Sequence, residues 1–180
     1  MLYINNNHTL IAFLLVLAAS AAAAISDVRT RRIPNALVIA LFVGGLFINI
    51  FAGAVPAALD IAIAAAVLLA GTVAFSFRLI GGGDVKLLAA AAGTLGFPLA
   101  VKFVLFTFIA GGLIAILFAF SRGKLRATFA NVRAVALPLA AGVAPERLQN
   151  GTPMPYALAI CAGAVLVLVT SGAVPQLRVF

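Results

Sequence analysis

Acidic residues are the scarcest charged class in this chain: four in 180 residues, against twelve Lys and Arg. There is also one cysteine, one histidine and no tryptophan. A single cysteine, Cys161, excludes an internal disulfide and a cysteine-built zinc site. It lies inside an apolar run and is read as a small buried hydrophobe. His8, in the polar lead-in to the first apolar stretch, is read as a solvated terminal residue. With one His and one Cys, both far from the acids in sequence, no serine–histidine or cysteine–histidine set is available for nucleophilic catalysis. No metal or cofactor is expected, because two carboxylates without a nearby histidine are a thin ligand set. The net charge of +8 does not mark a nucleic-acid binder, since the basic residues lie between apolar stretches and not on a soluble face.

What the chain has in abundance is apolar sequence. It is 65% hydrophobic and 9% charged, with a mean hydropathy of +1.25. That composition belongs to an integral membrane protein. A helix needs roughly 20 residues to cross ~30 Å of hydrocarbon, so the chain has room for about six spans. The expected fold is all-α and polytopic, one domain over residues 1–180, with about six transmembrane helices. Apolar windows place these near 9–26, 35–53, 57–79, 84–100, 102–120 and 154–172. Breaks are expected at Pro34, Val55-Pro56, the glycine run 81–83, Gly96-Phe97-Pro98 and the stretch 121–153. Ala22-Ala23-Ala24 mimics a leader cleavage site, but the opening residues carry no Lys or Arg, so the first apolar stretch is read as a retained span.

Basic residues set the orientation. Arg29, Arg31 and Arg32 follow the first span, Arg78 and Lys86 flank the turn between the third and fourth, and Arg122, Lys124, Arg126, Arg133 and Arg147 follow the fifth. Only Lys102 and Arg178 fall on the other side. This bias puts both termini outside and the loops after spans one, three and five in the cytoplasm. The stretch 121–153 is then a cytoplasmic loop. Leu125, Phe129, Val132 and Ala136 recur there at helical spacing beside arginines, which suits an interfacial amphipathic helix over anionic lipid. A plain solvated loop suits it equally.

The same count brings two acids, Asp27 and Asp84, to one membrane face. A carboxylate near the bilayer core costs roughly 2.5–3.5 kcal/mol on insertion scales, so each needs a reason. Asp84 closes Gly81-Gly82-Gly83-Asp84 at the start of the fourth span. Taken alone it caps a helix, where an acid gains from the positive end of the dipole. The three glycines exceed what a turn requires; they give backbone freedom and allow another chain to lie close. Asp27 ends the first span, ahead of Arg31 and Pro34-Asn35. Taken alone it is an interfacial acid balanced by Arg31. As a pair, two carboxylates a few ångströms apart do not readily both ionise, so one keeps a proton while the other activates water. Lys86 could tune Asp84, meet an acidic group of a substrate, or simply mark the cytoplasmic side. Asp60 is placed at the outer end of the third span as an interfacial or first-turn residue, and Tyr156 as an interfacial anchor.

Three segments together resemble the type IV prepilin peptidases, the intramembrane aspartyl proteases of bacteria, and among them the small members serving tight-adherence (Flp) pili. Gly81-Gly82-Gly83-Asp84-Val85-Lys86 resembles the family's Gly-x-Gly-Asp segment with its lysine. Asp27 with Ile33-Pro34-Asn35 resembles the segment around the first catalytic aspartate. Pro155-Tyr156-Ala157-Leu158-Ala159-Ile160 resembles the last-helix segment, with Ala157 where a glycine is common. The resemblance implies a catalytic dyad of Asp27 and Asp84, with Gly81, Gly82 and Gly83 shaping the turn. The implied partner is a prepilin or pseudopilin, cut after a short basic leader at the inner-membrane surface. Larger relatives carry an extra cysteine-bearing domain and methylate the new N-terminus; this chain has no cysteine pair, and methylation is not assigned. The competing class is a small proton-coupled transporter using the same acids. Such folds often show two related halves and acids near the midplane, and neither is evident in the sequence.

Overall fold

The computed structural model describes residues 6–52, 54–77, 80–123, 125–142 and 156–171. Within them the chain forms seven α-helices and no strand: α1 (Asn6–Thr30), α2 (Asn35–Ala52), α3 (Ala54–Ser76), α4 (Gly82–Leu95), α5 (Leu99–Ser121), α6 (Leu125–Ala140) and α7 (Ala157–Thr170). Six correspond to the expected spans, and α6 lies in the predicted cytoplasmic stretch. Three are long and apolar enough to cross a membrane: 8–30 of α1, 57–76 of α3 and α5 throughout. α2 and α7 are shorter apolar helices. Arg78, Lys124, Glu146, Arg147, Met154, Pro155 and Arg178 lie outside the described residues.

α4 is the centre of the bundle. Every residue from Leu87 to Leu95 is buried, and α1, α2, α3, α5 and α7 all pack on it. At 1.5 Å per residue its fourteen residues reach only about 21 Å. The expected fourth span was longer, 84–100. It is cut at Gly96, whose left-handed φ of +65° ends α4, and Leu99 and Ala100 start α5 instead.

With lipid outside, helices gain little hydrophobic drive from meeting one another, so packing rests on small residues that let backbones approach. Gly45 faces Thr94, Gly71 faces Val85, Gly93 faces Ala64, and Gly163 faces Thr107. The larger core side chains are Val16, Leu41, Leu87, Phe103, Ile160 and Val167. Outward faces carry exposed Ile39, Phe47, Leu69, Leu105 and Ile109, suited to acyl chains and not to water. α6 packs on α5 and keeps Phe129, Val132 and Leu137 exposed, as an interfacial helix would; Ala136's side chain lies outside the description.

At the end of the bundle where α4 stops, polar groups tie three helices together. The Asn49 amide donates to the Thr94 carbonyl at 3.2 Å, and the Thr94 hydroxyl lies 2.9 Å from the Ala90 carbonyl. Asp60 lies one turn further into α3 than the first turn, one of its two expected places, and it is buried, hydrogen-bonded to the Asn49 side chain and facing Gly96.

Candidate functional site

The opposite end of the bundle gathers the other two acids among the described residues, Asp27 and Asp84. α1 outruns its expected end by four residues, which places Asp27 in its last turn. The extension closes through local bonds. Arg31 takes a left-handed φ of 54° and donates its N–H to the Asp27 carbonyl at 2.9 Å, the single-bond form of a left-handed helix stop. Ser26 Oγ donates to the Arg32 carbonyl at 2.8 Å, and Thr30 Oγ1 to the Ser26 carbonyl at 2.9 Å. This tight return brings Pro34 directly to α2, with its carbonyl accepting from Leu37 and Val38.

Asp84 is the third residue of α4, with extended Gly81 as the helix cap. From that position its carboxylate reaches back to accept the Gly81 N–H. This is the backward half of a capping box, and it satisfies one of the donors a helix start leaves unpaired. A Cβ on Gly81 would stand 2.7 Å from Asp84 Oδ2, so the missing side chain is what lets the carboxylate fold back.

The glycine run works differently from expectation. Gly82 and Gly83 are ordinary helical residues and Gly81 has φ −71°, so none uses the backbone freedom peculiar to glycine. The need is for space. A Cβ on Gly83 would touch Ile33 at 3.3 Å, and one on Gly82 the Phe75 ring at 3.4 Å. The close approach is thus by the protein's own α1–α2 turn and α3.

Asp27 and Asp84 line one cavity of about 360 Å³, with Arg31, Arg32 and Lys86 around it. The two carboxyl groups interact electrostatically across it. Asp27 Oδ2 and Asp84 Oδ1 are both buried, and neither has a hydrogen-bond partner among the described residues. Buried polar atoms in native folds are nearly always paired, and leaving one unpaired costs about 1–3 kcal/mol. Here two such atoms sit on acids that line one cavity, an arrangement in which one carboxyl can hold a proton while the other takes one from water. Lys86 is exposed, with Nζ 3.5 Å from Asn35 Oδ1.

Tyr156, expected only as an interfacial anchor, also packs against the core at the start of α7 and lies within electrostatic reach of Asp84, a contact that sequence reasoning missed. Gly111 of α5 makes room for its ring, since a Cβ there would come within 2.9 Å of it. The available signal was the alternation of helix direction, which brings the start of the last span to the end of the bundle where the acids lie. Cys161 is partly buried against the same core.

No curated protein and no solved structure matches the chain. A model of the type IV leader peptidase family does match, over residues 10–116. Those residues carry both acids, the glycine run and most of the helices that hold them. They are more than half of the sequence, and with them the chain belongs to the type IV leader peptidase family.

Proposed function

We propose that this protein is an aspartyl endopeptidase of the bacterial inner membrane. It removes the short basic leader of a prepilin or pseudopilin of the tight-adherence (Flp) type, at the cytoplasmic face, with both of its own termini outside. The observation that carries the reading is the convergence of two carboxylates, Asp27 from the end of α1 and Asp84 from the start of α4, in one cavity, each with one buried oxygen unpartnered among the described residues. The ionised carboxylate takes a proton from water as the oxygen attacks the scissile carbonyl. The protonated one hydrogen-bonds that carbonyl as negative charge develops, and a proton then passes to the departing amine as the C–N bond breaks. Both half-reactions use these two side chains, with no covalent intermediate and no cofactor.

Arg31, Arg32 and Lys86 line the same cavity, so a basic leader is not drawn in by charge. Recognition therefore falls to the apolar part of the substrate. The transporter reading wants acids near the midplane, whereas these two stand at helix termini.

The test is cleavage of membrane-embedded prepilins by the purified protein in liposomes, read as a mobility shift and as the mass of the new N-terminus. A leader left attached across a panel of prepilins would sink the proposal. A second expectation concerns Gly81. Gly81→Ala places a methyl against Asp84 Oδ2 and swings the carboxylate off its Gly81 N–H. Cleavage is expected to fall roughly 10–100-fold, as for an ångström-scale misplacement of a catalytic group. The melting temperature should stay near wild type, because only a side-chain tip has to move. Full activity in this variant would show that Asp84 needs no such placement.

A further inference from the structure

A second, larger cavity of about 600 Å³ opens between α2, α3 and α4. It shares Asn35 and Lys86 with the cavity of the two acids, so the two spaces meet at that pair. Its walls have a regular pattern. α2 presents Asn35, Val38, Ile39 and Phe42, and α3 presents Ile61, Ala64, Ala65 and Leu68. Both sets follow the i, i+3, i+4, i+7 spacing of a helix face turned toward a neighbour. The floor is Ala89 and Ala90 of α4.

Two helix faces flank this alanine floor, and no helix of the described residues fills the groove between them. Small residues on floor and wall allow a backbone to come close, the means by which helices associate in lipid. Ile39, Ile61 and Leu68 remain exposed along it. Among the described residues, Lys86 is the one charged member of the lining, and it stands where the groove meets the acids.

Resting on the peptidase reading above, we propose that this groove seats the apolar helix of the substrate that follows the scissile bond, and that Lys86 pairs with an acidic side chain near the start of that helix. A helix lying there enters from the lipid and delivers its N-terminal end to the carboxylates. The lysine at the junction meets only residues close to the cut. The contact thus takes the form of a helix in a groove, with one charge fixing its position along the axis.

The experiment uses the full-length protein in liposomes with a full-length prepilin. Ala65 is exposed in the groove, so Ala65→Phe fills it without disturbing the core. Cleavage should fall at least tenfold while the melting temperature holds. Lys86→Glu should lower cleavage of an acid-bearing prepilin about tenfold, and replacing that acid with lysine should restore it. In a Cys161→Ala background, Ala65→Cys should form a disulfide with a cysteine in the substrate helix, and Leu113→Cys, exposed on α5, should not. Cleavage undiminished by Ala65→Phe, as for a groove holding only acyl chains, overturns the docking site. Equal cross-linking at both positions overturns it too, and charge reversal without rescue overturns the role of Lys86. If the wild type cuts nothing, the peptidase reading itself has failed; if it cuts and Ala65→Phe cuts equally, only the groove assignment has.

Discussion

Asp84→Asn will lower leader cleavage by at least about 10³-fold, and Asp27→Asn will do the same. Asparagine keeps the shape of each side chain but can neither accept a proton from water nor hold one for a carbonyl. The double variant should be scarcely worse than either single one, because removing one member already stops a unit that works as a pair. Stability separates this expectation from a structural role. Asp27 Oδ2 and Asp84 Oδ1 are buried without partners among the described residues, and the two charges interact across the cavity. Replacing either puts a neutral amide in place of a desolvated carboxyl and removes the coupling that makes its neighbour costly to ionise. In Asp84→Asn the amide also keeps an oxygen able to accept the Gly81 N–H. Each variant should therefore melt at or above the wild-type temperature while losing activity. If Asp84 served chiefly to cap α4, the opposite would be seen: cleavage retained and a lower melting temperature.

The largest effect on stability is expected at Gly93. An added methyl there would sit 2.8 Å from the Ala64 Cβ and 3.1 Å from the Asp60 carbonyl oxygen. Neither atom can rotate out of the way, so α3 and α4 must part. Overpacking of this kind costs about 1–3 kcal/mol, against which replacing a helical glycine by alanine returns about 0.5–1 kcal/mol. For a chain of this size each kcal/mol shifts the melting temperature by roughly 2–4 °C. Gly93→Ala should accordingly melt several degrees lower in detergent. Gly112 provides the control, since nothing lies within 4 Å of a Cβ there, and Gly112→Ala should be neutral or slightly stabilising. If the two variants melt alike, close contact is not what holds α3 to α4.

The apolar helices were legible because hydropathy reports them directly, whereas the helix α6 was only one of two readings that the stretch 121–153 suited equally. That Asp27 and Asp84 share one end of the bundle followed from the alternation of helix direction. What sequence could not supply were facts of contact. The last turn of α1 exists through the left-handed Arg31 and the bonds of Ser26 and Thr30, and no periodicity signals those. The glycines before Asp84 read as flexible, and only their neighbours Ile33, Phe75 and the Asp84 carboxylate show that they are small for lack of room. Asp60 lay too near Pro56 for its burial to be guessed without Asn49 and Gly96 beside it. The groove beside Lys86 needs three helices before it exists at all.

The central place of α4 also bears on how the protein is made. Fourteen residues carrying Asp84 and Lys86 near one end are a poor match for the bilayer on their own. α4 is kept there by the helices around it, of which α1, α2 and α3 are synthesised first and α5 closes the far side afterwards. A nascent chain that has delivered only its first three helices holds Asp27 and none of the turn that presents Asp84. On the proposed peptidase reading, proteolytic competence arrives with the insertion of α4, and a stalled or truncated copy in the membrane is expected to be inert.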